Sequence, residues 1–108
     1  MESHRKVVIT YVRKGGRVEA GAHRDCCDYI FKVQGRRAET VSVGIAGGWH
    51  EVIPSLGKAL KDEELIAIAK EFLERELTRE WVPSREKNRL EIPHALMEYR
   101  IHNNSFPS

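Results

Sequence analysis

Apolar residues recur along Lys61 to Trp81 with the spacing of a helix. At about 100° per residue, Leu65, Ile66, Ile68, Ala69, Phe72, Leu73 and Leu77 fall on one half of the wheel, and Lys70, Glu71, Glu74, Arg75 and Thr78 on the other. Asp62 is placed to cap the free N–H groups of the first turn, and Glu63 and Glu64 suit the positive end of the helix dipole. Arg79 sits in the last turn, and Pro83 lies just beyond it. The pattern predicts one long amphipathic helix near 62–80. Glu71 and Arg75, spaced i,i+4, would add roughly 0.2–0.5 kcal/mol. Glu76 interrupts the apolar arc: either the helix has passed the sheet's edge there and the carboxylate reaches water, or it is a partly buried acid or base.

Before the helix the period changes from 3.6 to two. Cys27, Tyr29, Phe31 and Val33 alternate with Asp28, Ile30, Lys32 and Gln34, and Val41, Val43 and Ile45 alternate with Thr40, Ser42 and Gly44. These runs predict a hairpin over Cys26–Gln34 and Thr40–Ile45, turning at Gly35-Arg36, with its apolar face under the helix. Val7 to Val12 is apolar on both faces and reads as a strand in a central or doubly covered position. Lys14-Gly15-Gly16-Arg17 reads as a hairpin turn, Val18 to Ala20 as a short returning strand and Gly21 to Asp25 as a loop. Trp49 to Ile53 is a candidate short strand ended by Pro54, Arg89 to Ile92 a candidate edge strand, and Pro93 opens a short final helix over His94 to Ile101. Residues 103–108 are expected to fray.

The fold class that follows is α+β, in one domain spanning 1–108. It has an antiparallel sheet of four or five strands, built of hairpins and packed on one face by a single long helix, with a short C-terminal strand and helix. A chain of 108 residues, 41% hydrophobic and 31% charged, fits one modest core and excludes a disordered chain. No run approaches the ~18 apolar residues of a membrane span, and Met1 to Lys6 lacks a signal peptide's apolar stretch, so a cytoplasmic protein is expected.

The net charge of +2 implies no polyanionic partner by itself, but its layout is uneven. Residues 1–37 carry nine Lys/Arg against four Asp/Glu, and residues 38–80 five against nine. Such halves suit association between copies. Arg5-Lys6, Arg13-Lys14-Arg17 and Arg36-Arg37 gather the basic charge, and the two hairpin tips would grip a phosphate backbone if they lay side by side. Base stacking also needs exposed aromatics, whereas Tyr29 and Phe31 fall on the helix-covered face.

Chemistry-bearing residues are densest in His23-Arg24-Asp25-Cys26-Cys27-Asp28. Neighbouring strand residues point to opposite faces, so Cys26 and Cys27 do not ligate one ion, and no second cluster stands at zinc spacing. No metal and no cofactor is expected. Cys26 with His23 or His50 as base, or Glu76 alone, would be the reactive groups of a small thiol- or carboxylate-dependent enzyme. Trp49 and Trp81 are candidate partner anchors if exposed. Gly44 to Gly48 lacks the ending of a phosphate-binding loop and reads as a turn. The reading that follows is a small, non-enzymatic binding module whose partner is its own copy, as a dimer, or another protein. Nucleic-acid binding through Arg13, Lys14, Arg17, Arg36 and Arg37 is the alternative, and the small enzyme the third.

Overall fold

The computed structural model describes residues 7–20 and 23–107, with side chains for 7–15 and 26–107. The elements are β1 (Val8–Ala20), β2 (His23–Gln34), β3 (Ala38–Ala46), a 3-10 turn (Gly47–His50), α1 (Asp62–Thr78), β4 (Arg89–Glu91) and α2 (His94–Asn103). They form one four-stranded sheet in the order β1-β2-β3-β4.

The β2–β3 hairpin stands in the expected register, with Cys27 opposite Ile45, Tyr29 opposite Val43 and Phe31 opposite Val41. Their side chains fill one face of the sheet. Tyr29, Phe31, Val41, Val43 and Ile45 are wholly buried, against Leu65, Ile68, Ala69, Phe72 and Leu73 of α1. Each such side chain contributes roughly 1.5–3 kcal/mol of transfer free energy. Ile92 and Met97 close the same core from the C-terminal segment.

The sheet is mixed, not antiparallel: β4 runs parallel to β3, Val43 opposite Leu90. α1 carries the chain from one end of the sheet back to the other, and that crossover dictates a parallel neighbour. There are two helices over the described residues, the second begun by Pro93 as N-cap. α1 is capped by Lys61 rather than Asp62, whose place is inside the first turn; the Lys61 backbone N–H donates to Glu64 Oε1 at 3.1 Å. The expected Glu71–Arg75 pair does not form. Glu71 instead takes Arg100 of α2 at 2.6 Å, and Arg75 turns to Glu76 and to the carbonyl of Pro107.

β1 departs furthest from expectation. The glycine pair does not make a hairpin turn; β1 continues through it as one strand of 13 residues along β2. Register shifts between Tyr11 and Arg13, Lys14 and Arg17, and Val18 and Ala20 absorb the extra residues. Glycine serves close approach here: a Cβ on Gly15 would stand 3.3 Å from the Asp28 carbonyl oxygen. β1 is also an edge strand, not a central one. Of the loop expected at 21–25, Gly21 and Ala22 lie outside the described residues, and His23 to Asp25 already belong to β2. Trp49 to Ile53 forms no strand; Trp49 lies in the 3-10 turn, and Ile53 makes a lone bridge to Lys58. The C-terminal tail does not fray as far as Pro107, because Phe106 packs on Phe72 with ring centroids 5.7 Å apart.

Candidate functional site

α1 covers one face of the sheet; the other is open at Val8 and Val12 and closed at Cys26, Asp28 and Ile30, which are buried. On β1 the alternation puts Ile9 and Tyr11 towards the core, Tyr11 edge-on to Phe31, and Val8, Thr10 and Val12 on the open face. Val8 is 60% exposed and Val12 53%. β1 pairs only with β2 among the described residues, so no described residue pairs the outward backbone N–H and C=O groups of Val8 to Val12. An uncharged, β-branched strand at a sheet edge is a template for another strand. Pattern reasoning misses this surface because apolar residues on both faces signal a central strand.

Further along the face away from α1, Arg89 reaches over from β4 to Asp28 on β2. Its Nε and Nη2 each donate to the carboxylate at 2.9 Å, and its Nη1 donates to Glu91 at 2.6 Å. Gly44 of β3 lies beneath, where it leaves room for the guanidinium. Asp28 is buried, and its charge-assisted bonds to Arg89 hold the guanidinium firmly in its charged form. Cys26 is wholly buried beside this group. Burial pushes its thiol pKa up, and Glu91 adds to the shift. The expected nucleophile is therefore a protonated, enclosed thiol, on the opposite side of the sheet from His50.

On the helix side a second polar chain joins four elements, β1, β2, the 3-10 turn and α1. Lys14 Nζ lies 3.2 Å from Asp62 Oδ1, the Tyr29 hydroxyl 3.1 Å from the same oxygen, and His50 Nε2 3.0 Å from the hydroxyl. The hydrogen bond from Lys14, aided by that from Tyr29, lowers the Asp62 pKa, so the carboxylate only accepts. The single Tyr29 proton then goes to Asp62, and the Tyr29 oxygen accepts from His50 Nε2–H. The lone pair falls on His50 Nδ1, which is buried and unpartnered. Burial raises the Tyr29 pKa and keeps the hydroxyl neutral. Because Tyr29 is wholly enclosed, this hydroxyl joins β2 to the start of α1 rather than meeting a solute.

The remaining expected site residues are scattered. Glu76 is bound by Arg75 at 2.8 Å and borders an open groove of about 660 Å³. The side chains of Arg17 and His23 lie outside the described residues, as do Arg5 and Lys6. Arg13 stands opposite Ile30 and Lys14 opposite Tyr29, whereas Arg36 and Arg37 lie in the turn after Gln34, the partner of Val8. Five strand residues, about 17 Å, separate Tyr29 from Gln34. The basic groups are thus at different levels of the sheet, not side by side, and Lys14 is engaged with Asp62. Arg36 and Arg37 border a second groove of about 1270 Å³, but Glu39, Glu74 and Glu80 share it. Trp49 is core, tilted against His94 at 5.3 Å, which puts it out of a partner's reach. Trp81 is half-buried between the two grooves.

Sequence reasoning named Asp28 only as part of the polar cluster His23 to Asp28, and it missed Arg89, Glu91 and the role of Tyr29. One signal was present: Asp28 sits between the apolar Cys26 and Ile30 on a single strand face. No protein-family model, curated protein or solved structure matches the chain.

Proposed function

We propose that the protein is a non-enzymatic binding module whose partner is a second copy of itself, joined at the edge of β1. One observation carries this reading: the outermost strand of the sheet presents exposed Val8 and Val12 beside backbone groups that no described residue pairs. Pairing of that edge satisfies the backbone and removes apolar surface from water together.

Light scattering across the micromolar range tests it. The native chain is expected at the mass of two copies. A Val8→Lys/Val12→Lys variant is expected at the mass of one with its circular dichroism spectrum unchanged, because both side chains point away from the core. A native chain that stays at the mass of one copy overturns the proposal.

A further inference from the structure

We infer that the two copies pair β1 to β1, antiparallel, about a two-fold axis at Thr10, so that two four-stranded sheets become one of eight strands. The inference rests on the self-association proposed above and adds its register.

A closed pair of identical chains shares one self-complementary surface. When that surface is an antiparallel strand edge, the axis is perpendicular to the sheet, and both copies of α1 lie on the same side. Residues directly opposite then point to the same face, so the axis passes through a residue and not between two. The regular part of the edge ends at the register shift between Tyr11 and Arg13, which leaves Ile9, Thr10 and Tyr11 as possible centres.

Thr10 is the centre that size and charge both favour. It sets Val8 against the other copy's Val12 twice over, Thr10 against Thr10, and Ile9 against Tyr11 twice on the helix side. Branched apolar pairs and an aromatic–aliphatic pair are the favourable cross-strand combinations. The uncharged run Val8 to Val12 meets an uncharged run, and Arg13 lies beyond it, past the register shift. Centring on Tyr11 would set Thr10 against Val12 and run Ile9 into the register shift before Arg13, where the alternation of faces breaks and opposite residues no longer match. Centring on Ile9 would set Val8 against Thr10 and leave Val12 without a described partner. Ile9 also borders the larger groove. Pairing at Thr10 therefore extends the floor beneath α1 with the partner's Tyr11, where the sheet is half-covered.

Variants with one added cysteine read the register, since the native Cys26 and Cys27 are both buried. Thr10→Cys and Val8→Cys are oxidised with glutathione disulfide, run on a non-reducing gel, and weighed by light scattering. In the inferred register the two Thr10 Cα atoms are about 4.5–5.5 Å apart, within reach of a disulfide. The two Val8 Cα atoms are four residues apart along the strands, about 13 Å, and out of reach. The expected result is a T10C disulfide forming at least about tenfold faster than the V8C one, the held pair having the higher effective concentration. Rapid cross-linking of V8C/V12C is expected as well. A two-copy mass with no preference for T10C overturns the register and leaves self-association standing. A one-copy mass for the native chain overturns both.

Discussion

Asp28 and Arg89 are joined by two parallel hydrogen bonds of 2.9 Å, although 61 residues separate them along the chain. The pair ties β2 to β4 across β3, beyond the reach of any single backbone ladder. The Asp28 side chain is 7% exposed and that of Arg89 27%, so desolvation is substantial. Such a pair is weak evidence of net stability, but removing one partner leaves a buried charge. Arg89→Ala is expected to destabilise the fold by about 3 kcal/mol in urea unfolding. Asp28→Ala/Arg89→Ala should cost clearly less than the two single changes together. Strict additivity would show that the carboxylate and guanidinium do not interact.

Gly44 offers a second test of that arrangement. A Cβ at this position would stand 2.5 Å from Arg89 Nη2 and 3.0 Å from Asp28 Oδ1. Gly44→Ala must therefore displace the guanidinium, at an expected cost of about 1–3 kcal/mol. In the Arg89→Ala background only the 3.0 Å approach to Asp28 Oδ1 is left, and the same substitution should cost clearly less. Equal costs in both backgrounds would mean that the methyl group meets something other than the ion pair.

The Tyr29–Asp62 bond makes stability fall at both ends of the pH scale. The Asp62 pKa is depressed in the fold, first by Lys14 and with help from Tyr29. Its contribution is thus present above the unfolded carboxylate pKa of about 3.9 and is lost as pH falls through the lower folded value. Both members of the Lys14–Asp62 pair are about half exposed, so the ion pair itself supplies about 0–1 kcal/mol. The Tyr29 pKa is raised, first by burial. Its contribution is present below the unfolded value of about 10 and is lost as pH rises beyond it. Tyr29→Phe should flatten the alkaline loss while costing about 1–3 kcal/mol at neutral pH, because His50 Nε2–H is left without an acceptor. Absorbance checks it directly: of the three tyrosines, one should ionise only as the chain unfolds. If all three titrate normally in the folded protein, the enclosed hydroxyl is wrong.

How much of this was legible in the chain depends on how far apart the interacting residues lie. The β2–β3 hairpin and the buried side of α1 follow from periodicity, because each side chain's direction depends on its near neighbours. Tyr29, Phe31, Val41 and Val43 face Leu65, Ala69 and Leu73 as the alternation requires. Gly15 misled because glycine marks a tight turn and a close approach to a neighbouring strand with the same residue. The parallel direction of β4 depends on the path of the whole crossover, not on Arg89 to Glu91. Both polar groups were illegible for the same reason: Asp28 meets Arg89, and Tyr29 meets His50 and Asp62, only once the sheet and α1 exist. The edge at Val8 to Val12, which no described residue pairs, is hidden too, since its composition suits a strand covered on both sides.

The end of α1 holds a strain that substitution can relieve. Trp81 N–H donates to the carbonyl of Glu76 at 2.9 Å and Glu80 N–H to that of Leu77 at 3.2 Å, the paired bonds of a Schellman cap. The residue between helix and loop must then adopt the left-handed conformation, and here it is Glu80, at φ 68°, where glycine is usual. A side chain with a Cβ costs about 1–2 kcal/mol in that region. Glycine avoids the cost but loses more chain entropy on folding, so Glu80→Gly is expected to stabilise the fold by about 0.5–1 kcal/mol net. Asn, which tolerates this conformation, should give a smaller gain in the same direction. Urea midpoints at equal slope measure both, with Trp81 fluorescence reporting that the cap is kept. A loss of stability in Glu80→Gly would mean that the glutamate's contacts along the groove outweigh the strain it carries.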